Sequence, residues 1–484
     1  MPRKKKEVII TPKDFRDNKD TERFAKMIGE RLTGLNSVTN QPNKFILLTP
    51  KAGVGKTFIT IHSMGLLPGG QNAHFMIFGP KAKVLDLSWE ASIEGYNNVK
   101  GTQMTYTTNT LDFIKNHPDI VANIIDEHVA NGQPIVVVLD EVHLAKNPTS
   151  KIGKAIAKLS LNENVSAMIG LSATPYSNSY MDTVGYLVWN QYYKNKTDFI
   201  KQQIKFFDDY RQPMVKDNQG NIDRTLFNDP DAIDKYLSEF TVDDQLDKSP
   251  LPPASFEERT FDLNNDKSIK YVDPAFIEFG EDRPRTQRGN YNAVKNKFYR
   301  DGYYESATKA TAVEREMIAN ITQRAQILID ILTEIRYSTD PHPVLIFYQN
   351  NSELEAIQQI ISNEPKLQPT KINIVNGKQK DLEDVDDPHT VVLIQYKAGG
   401  AAIEFPHAYS SIYYMPTYSY ENYEQTLGRN RRNGMTHPVK YYKIIANNTL
   451  DDYVWHTILA NKKSFSYATM KKVMSLSTAS DEDI

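Results

Sequence analysis

The chain has 484 residues, 40% hydrophobic and 24% charged, with a formal net charge of −3 and no cysteine. That length holds two to four domains of ordinary globular composition. It excludes disulfides and thiolate-held zinc or iron–sulfur sites, and it excludes a globally basic nucleic-acid coat, leaving any such contact to a local basic surface. No run of about 18 apolar residues occurs, so no membrane span and no membrane partner are expected. The basic start, Met1 to Lys6, is followed by no apolar stretch and does not read as a secretory signal. Lys4 to Lys6 suit either a solvated terminus or an arm touching nucleic acid. A cytoplasmic location is the expectation.

In chain order, residues 1–43 read as an N-terminal arm and helix. Residues 44–186 alternate short apolar runs with helical stretches. The runs are Phe45–Leu48, His74–Phe78, Ile135–Leu139 and Ala167–Leu171, and none alternates with period two. That is the pattern of strands buried on both faces of a parallel sheet. Residues 187–311 differ. Positions 201–250 hold seven Lys/Arg against eleven Asp/Glu, and Pro250, Pro252 and Pro253 interrupt the chain. Positions 281–300 reverse the sign, with Arg283, Arg285, Arg288, Lys295, Lys297 and Arg300. This middle part is expected to be a largely helical insertion containing a linker. Residues 312–467 return to strand–helix alternation, with runs at Val344–Phe347, Ile372–Val375, Val391–Ile394, Ser411–Tyr414 and Lys440–Ile444. The tail, 468–484, ends small, polar and acidic and is expected to be disordered. The fold class expected is α/β, with two lobes of parallel sheet flanked by helices.

Three motifs carry chemistry. Thr49-Pro-Lys-Ala-Gly-Val-Gly-Lys-Thr57 joins the first strand to an apolar helix. A strand, a glycine-bearing loop and a helix start gather backbone N–H groups and the positive end of a helix at one point, which suits phosphate. Gly53, Val54, Gly55 and Phe58 would cradle the phosphates, Lys56 would reach the β and γ phosphates, and the Thr57 hydroxyl would ligate Mg²⁺. Pro50 stands where the strict pattern has glycine. Asp140-Glu-Val-His143 caps the Ile135–Leu139 strand, at the end of a sheet where α/β folds bind ligands. Asp140 would hold Mg²⁺ and Glu141 would orient and deprotonate water; a solvated acidic turn is the alternative. Ser172-Ala-Thr174 ends another strand, and with His143 its hydroxyls would couple nucleotide state to the acidic motif. Gln425-Thr-Leu-Gly-Arg429-Asn-Arg-Arg432 places Arg429 and Arg432 one helical turn apart. Planar guanidinium groups suit phosphate oxygens, and an arginine supplied by a second domain can add about 10³–10⁵ to phosphoryl-transfer rate. A basic helix facing nucleic acid or solvent is the alternative, and the better one for Arg431.

The order of these motifs resembles superfamily-two helicases. Phe78-Gly-Pro-Lys-Ala-Lys83 with Trp89-Glu90, Val344-Leu-Ile-Phe-Tyr348, Lys397-Ala-Gly-Gly-Ala-Ala402, Pro438-Val-Lys-Tyr-Tyr442 and Asn448-Thr-Leu-Asp-Asp-Tyr453 are similar to the Swi/Snf-related branch. Ser172 to Phe207 resembles compact members encoded by bacteriophages. The resemblance covers about 44–210 and 312–467. It implies two RecA-like lobes and a DNA-stimulated ATPase that translocates and sometimes separates strands. It implies ATP and Mg²⁺ as cofactors, with Gln425 and Gly400 among the nucleotide contacts. It departs at Ile403-Glu-Phe405, where the family has an Asn-Leu pair, and no adenine-reading glutamine can be placed.

The resemblance runs nucleic acid past Lys81, Lys83, the turn containing Thr107, Asn350, Lys397 and Gly399, held through the backbone with little sequence preference. Arg283, Arg285 and Arg288, interleaved with Tyr291, Phe298 and Tyr299, suit phosphate contact plus stacking, or equally a solvated helical face. The function expected is DNA-dependent ATP hydrolysis driving translocation or unwinding of duplex or forked DNA, in phage replication or recombination. The protein would act as a monomer in a host cytoplasm, with phage replication or nuclease proteins as possible partners. An RNA helicase, the motor subunit of a restriction system and a non-catalytic clamp are the alternatives.

Overall fold

The computed structural model describes residues 19–49, 56–85, 87–176, 179–216, 223–242, 252–268, 284–300, 307–397, 403–431, 435 and 437–464. The Lys4–Lys6 arm and the acidic tail lie outside them. The chain divides into two compact units, Met1–Ser249 with Asn461–Ile484, and Pro250–Ala460.

The first unit is built on β1 (Phe45–Leu48), β2 (His74–Gly79), β3 (Thr105–Thr110), β4 (Ile135–Asp140), β5 (Val165–Leu171) and β6 (Thr241–Val242), in the order β3-β2-β4-β5-β1-β6. All five pairings are parallel. The central strands β1, β2 and β4 are buried at every position, which is why their sequences read as unbroken apolar runs. Helices such as Lys56–Leu66, Ser88–Lys100 and Lys151–Ser160 cover the sheet and seal one hydrophobic core around Ile46, Ile77, Val138 and Ile169.

The second unit carries β7 (Ala254–Phe261), β8 (Val344–Tyr348), β9 (Lys371–Val375), β10 (Thr390–Gln395), β11 (Ser410–Tyr413) and β12 (Val439–Ala446). Their order is β7-β12-β11-β8-β10-β9, again all parallel. Alternate residues of β8 fall into two different cores: Val344, Ile346 and Tyr348 pack on one face, Leu345 and Phe347 on the other. Both faces of this sheet are therefore covered, as the sequence leads one to expect.

Three strands escape the sequence pattern, and each lies at a sheet edge. Thr105–Thr110, expected as a turn around Thr107, is edge strand β3 and has no fully buried residue. Its threonines hydrogen-bond instead: the buried His74 ring places Nδ1 2.7 Å from Thr105 Oγ1 and Nε2 3.2 Å from Thr107 Oγ1, and stacks on His128 at 3.5 Å. The other two come from the stretch read as a helical insertion. Helix Pro230–Phe240 and β6 complete the first sheet's edge, while β7 pairs along its whole length with β12. Residues 187–311 thus contribute a strand to each sheet. Strand β7 alternates Glu, Arg and Thr with little burial because only one side has a strand partner; such edges carry charge and lose the apolar signal.

Candidate nucleotide site

The first unit brings its predicted residues together at the carboxyl edge of its sheet. Lys56 opens the helix that follows β1, with Thr57 and Phe58 in its first turn, all three partly exposed. Gly53, Val54 and Gly55 lie outside the described residues. Asp140 is the last residue of β4 and only 4% exposed. Glu141 follows in a left-handed conformation, φ 51°, ψ 49°, which costs a non-glycine residue about 1–2 kcal/mol. In an extended strand, consecutive side chains would leave on opposite faces. The left-handed turn breaks that alternation, so the two carboxylates address one region.

Both Asp140 oxygens are held. Trp89 Nε1–H donates to Oδ2 at 3.1 Å, and the Glu141 backbone N–H donates to Oδ1 at 3.0 Å. Burial pushes the Asp140 carboxyl above the usual carboxylate range; the Lys83 ammonium opposes this, Glu141 adds to it, and the Trp89 hydrogen bond and Lys56 oppose it again. Two cations, one from the first turn of the Lys56 helix and one from the segment after β2, therefore lie in electrostatic reach of one buried carboxylate.

The three residues expected to couple the acids to their surroundings also meet. His143 Nδ1 is 3.0 Å from Ser172 Oγ and 3.4 Å from Glu141 Oε2, and the Thr174 backbone N–H donates to Ser172 Oγ at 3.1 Å. His143, Ser172 and Thr174 are all buried. A continuous hydrogen-bonded chain thus links the end of β5 to the turn after β4.

The expected track residues of this unit part company. Lys81 is exposed at the start of the short helix Lys81–Leu85. Lys83, two positions on, lies in electrostatic reach of Asp140 and so on the side of the acidic motif. The Thr107 hydroxyl is bonded to His74 within the sheet. Trp89 is the residue that sequence reasoning left without a chemical role. Its signal was the Trp89-Glu90 pair in the first turn of the helix after the second strand.

In the second unit, helix Tyr420–Leu427 carries Gln425 and ends at Gly428. Arg429 lies beyond that end, so the expected helical spacing to Arg432 does not hold at Arg429; Arg432 lies outside the described residues. Arg429 is 6% exposed and donates to the Ile403 carbonyl at 3.2 Å. The departing segment at Ile403–Phe405 is therefore what receives this arginine, and the Phe405 N–H donates back to the Arg429 carbonyl at 2.9 Å. Arg431 is partly buried and donates to the Pro252 carbonyl at 2.7 Å, a structural contact rather than one with solvent.

Lys397 is exposed just past β10, while Gly399 and Gly400 lie outside the described residues. Asn350 precedes helix Asn351–Asn363, its amide 3.5 Å from Glu353. Of the basic segment, Arg283 and the side chains of Phe298 and Tyr299 are outside the described residues, and Arg285 is partly exposed. Arg288 donates to the carbonyls of Asn447 (3.0 Å) and Asn448 (2.8 Å). Tyr291 is buried and receives the Leu450 N–H at 2.9 Å. The stacking expected of Tyr291 is thereby ruled out in this arrangement, because its ring is already packed.

Among the described residues no helix is long and apolar enough to cross a membrane. No curated protein matches the chain. Residues 323–434, from the second residue of helix Thr322–Arg336 through the arginine motif, match the model of the helicase conserved C-terminal domain. The matched residues lie within the second unit, so that the stretch from β8 through β11 and helix Tyr420–Leu427 is similar to a helicase C-terminal domain.

Proposed function

We propose that this chain is a DNA-dependent ATPase that uses Mg²⁺-bound ATP to translocate on, or unwind, duplex or forked DNA, as a monomer, in phage DNA replication or recombination. One observation carries the reading. Asp140 and Glu141 sit together at the carboxyl edge of β4, in electrostatic reach of Lys56 at the start of the helix after β1.

The donor set fits a hard divalent cation carried on phosphate. Asp140 is a buried carboxylate whose burial disfavours its lone charge, and a cation relieves that cost. Thr57 supplies a hydroxyl and Lys56 an ammonium for phosphate oxygens. Glu141, more open and 3.4 Å from His143, is suited to take a proton from water. Arg429 and Arg432 are assigned to phosphate recognition, with Gln425, Gly53, Gly55 and Gly400 as nucleotide contacts. Lys81, Lys397, Asn350 and Arg285 are assigned to the nucleic-acid path.

The test is the ATPase rate with no polymer, duplex DNA, forked DNA, single-stranded DNA and RNA. Stimulation by duplex or forked DNA at least about tenfold over RNA is expected. Stimulation by RNA alone makes the chain an RNA helicase. No turnover on any polymer makes it a clamp.

A further inference from the structure

The short segment between β2 and helix Ser88–Lys100 does more than connect them. Strand β2 lies beside β4, with Phe78 opposite Leu139. Gly79 is so close that a Cβ there would stand 3.4 Å from Asp140 Cβ and 3.7 Å from Lys83 Cβ. The chain then turns over Pro80, whose carbonyl receives the N–H groups of Lys83 (2.9 Å) and Val84 (3.2 Å). At Leu87 the backbone is left-handed, φ 56°, a costly conformation for a branched apolar side chain. That turn drives Trp89, 1% exposed, into the sheet edge, where its indole N–H meets Asp140 Oδ2 at 3.1 Å.

Within this one segment the residues face opposite ways. Lys81 is exposed and Lys83 is directed to Asp140. Two helical positions differ by about 200°, which sets the two lysines on opposite sides of this short helix. Trp89 restrains which way the carboxylate faces, its indole N–H holding Oδ2 while Oδ1 receives the Glu141 backbone N–H at 3.0 Å.

We propose that Trp89 is a positioning residue for the Asp140 carboxylate. The inference rests on the nucleotide reading of Asp140 given above. It assigns Trp89 no contact with substrate.

The test uses full-length wild type and Trp89→Phe, which keeps the ring and removes the N–H. ADP affinity is measured in EDTA and in Mg²⁺. In Trp89→Phe, affinity in EDTA stays within about twofold of wild type, while the tightening added by Mg²⁺ falls about tenfold, equivalent to about 1.4 kcal/mol. An unchanged Mg²⁺ increment overturns the positioning role.

If wild type shows no Mg²⁺ increment at all, the nucleotide reading fails and this proposal with it, a result separate from a defect confined to the variant. Should Trp89→Phe not fold, wild type labelled with 5-fluorotryptophan serves, the chain having three tryptophans, Trp89, Trp189 and Trp455. A fluorine resonance that shifts with Mg²⁺-ADP and not with ADP in EDTA supports the proposal, and three resonances that ignore Mg²⁺ overturn it.

Discussion

Arg324 and Arg315 of the second unit and Asp140 of the first are buried charges held in opposite ways. The two arginines are closed. Arg324, 0% exposed, pairs with Asp451 and donates to the carbonyls of Tyr414, Ile444 (3.1 Å) and Ile318 (3.1 Å). Arg315 pairs with Glu353 at 2.7 Å and donates to the Pro416 carbonyl at 2.8 Å, while Glu353 also receives the Gln349 N–H at 2.8 Å. Arg324, near the start of helix Thr322–Arg336, ties it to β12 and to the residue after β11, and Arg315 ties helix Ala307–Ala319 to helix Asn351–Asn363. In the first unit Asp140 is as deeply buried, yet its oxygens take an indole N–H and a backbone N–H, with Lys83 and Lys56 in electrostatic reach. A closed pair satisfies its own desolvation cost. A carboxylate held by two N–H groups with cations in reach shares that cost with a bound cation in the role proposed for Asp140. The first arrangement is architecture, and the second suits the proposed site.

The comparison can be broken most decisively at Glu141. Glu141→Gln is expected to bind ATP normally, melt like wild type and lose about 10²–10⁴ in turnover. Turnover within about threefold of wild type, measured by phosphate release, would remove the general-base role.

Next in size is the closed pair. Arg324→Ala leaves Asp451 buried without its partner and is expected to cost about 3–5 kcal/mol in urea unfolding. Arg324→Met with Asp451→Leu should recover much of that loss. A single variant as stable as wild type but slow in turnover would mean that the pair is not architectural.

His74 offers a pH test of the first unit's edge. Burial first, and then neighbouring His128, lowers its pKa to about 4, against about 6.5 in an unfolded chain. Below pH 6.5 the unfolded chain takes up a proton that the folded one refuses. Stability is therefore complete above that pH and falls as pH drops toward 4, by about 2 kcal/mol. His74→Gln should flatten this slope in melts between pH 7 and 4; a slope identical to wild type would show that His74 is not its source.

The smallest effect is expected at Arg288. Because its guanidinium already serves two carbonyls, Arg288→Gln should cost about 1 kcal/mol of stability and leave the salt dependence of DNA binding unchanged. A slope reduced by about one would return Arg288 to the nucleic-acid path.

Much of this was legible in the residues alone. Every central strand announced itself as a short apolar run, because a parallel strand covered on both faces has no polar side to show. The acidic motif and its hydroxyl partners were readable because they end such strands. The edges were not: β3, β6 and β7 are threonine-rich, two residues long, or charged, and the information that makes them strands resides in the partner strand's unpaired N–H and C=O groups. The end of the helix before Arg429 turned on a glycine whose effect depends on its surroundings. What the residues alone did not convey was the contact of Trp89 with Asp140 and the place of Lys83, read as a nucleic-acid contact, in reach of the same carboxylate. A sequence records that a tryptophan follows a strand by ten residues. Only the register of β2 against β4, with the left-handed turn at Leu87, places its N–H against Asp140. Sequence by itself determined which residues are apolar, where glycines interrupt them and which acids follow which strands, since local pattern and burial are linked by solvation. The tertiary structure alone decided which charges are closed and which stay open, because that depends on distances between segments far apart in the chain.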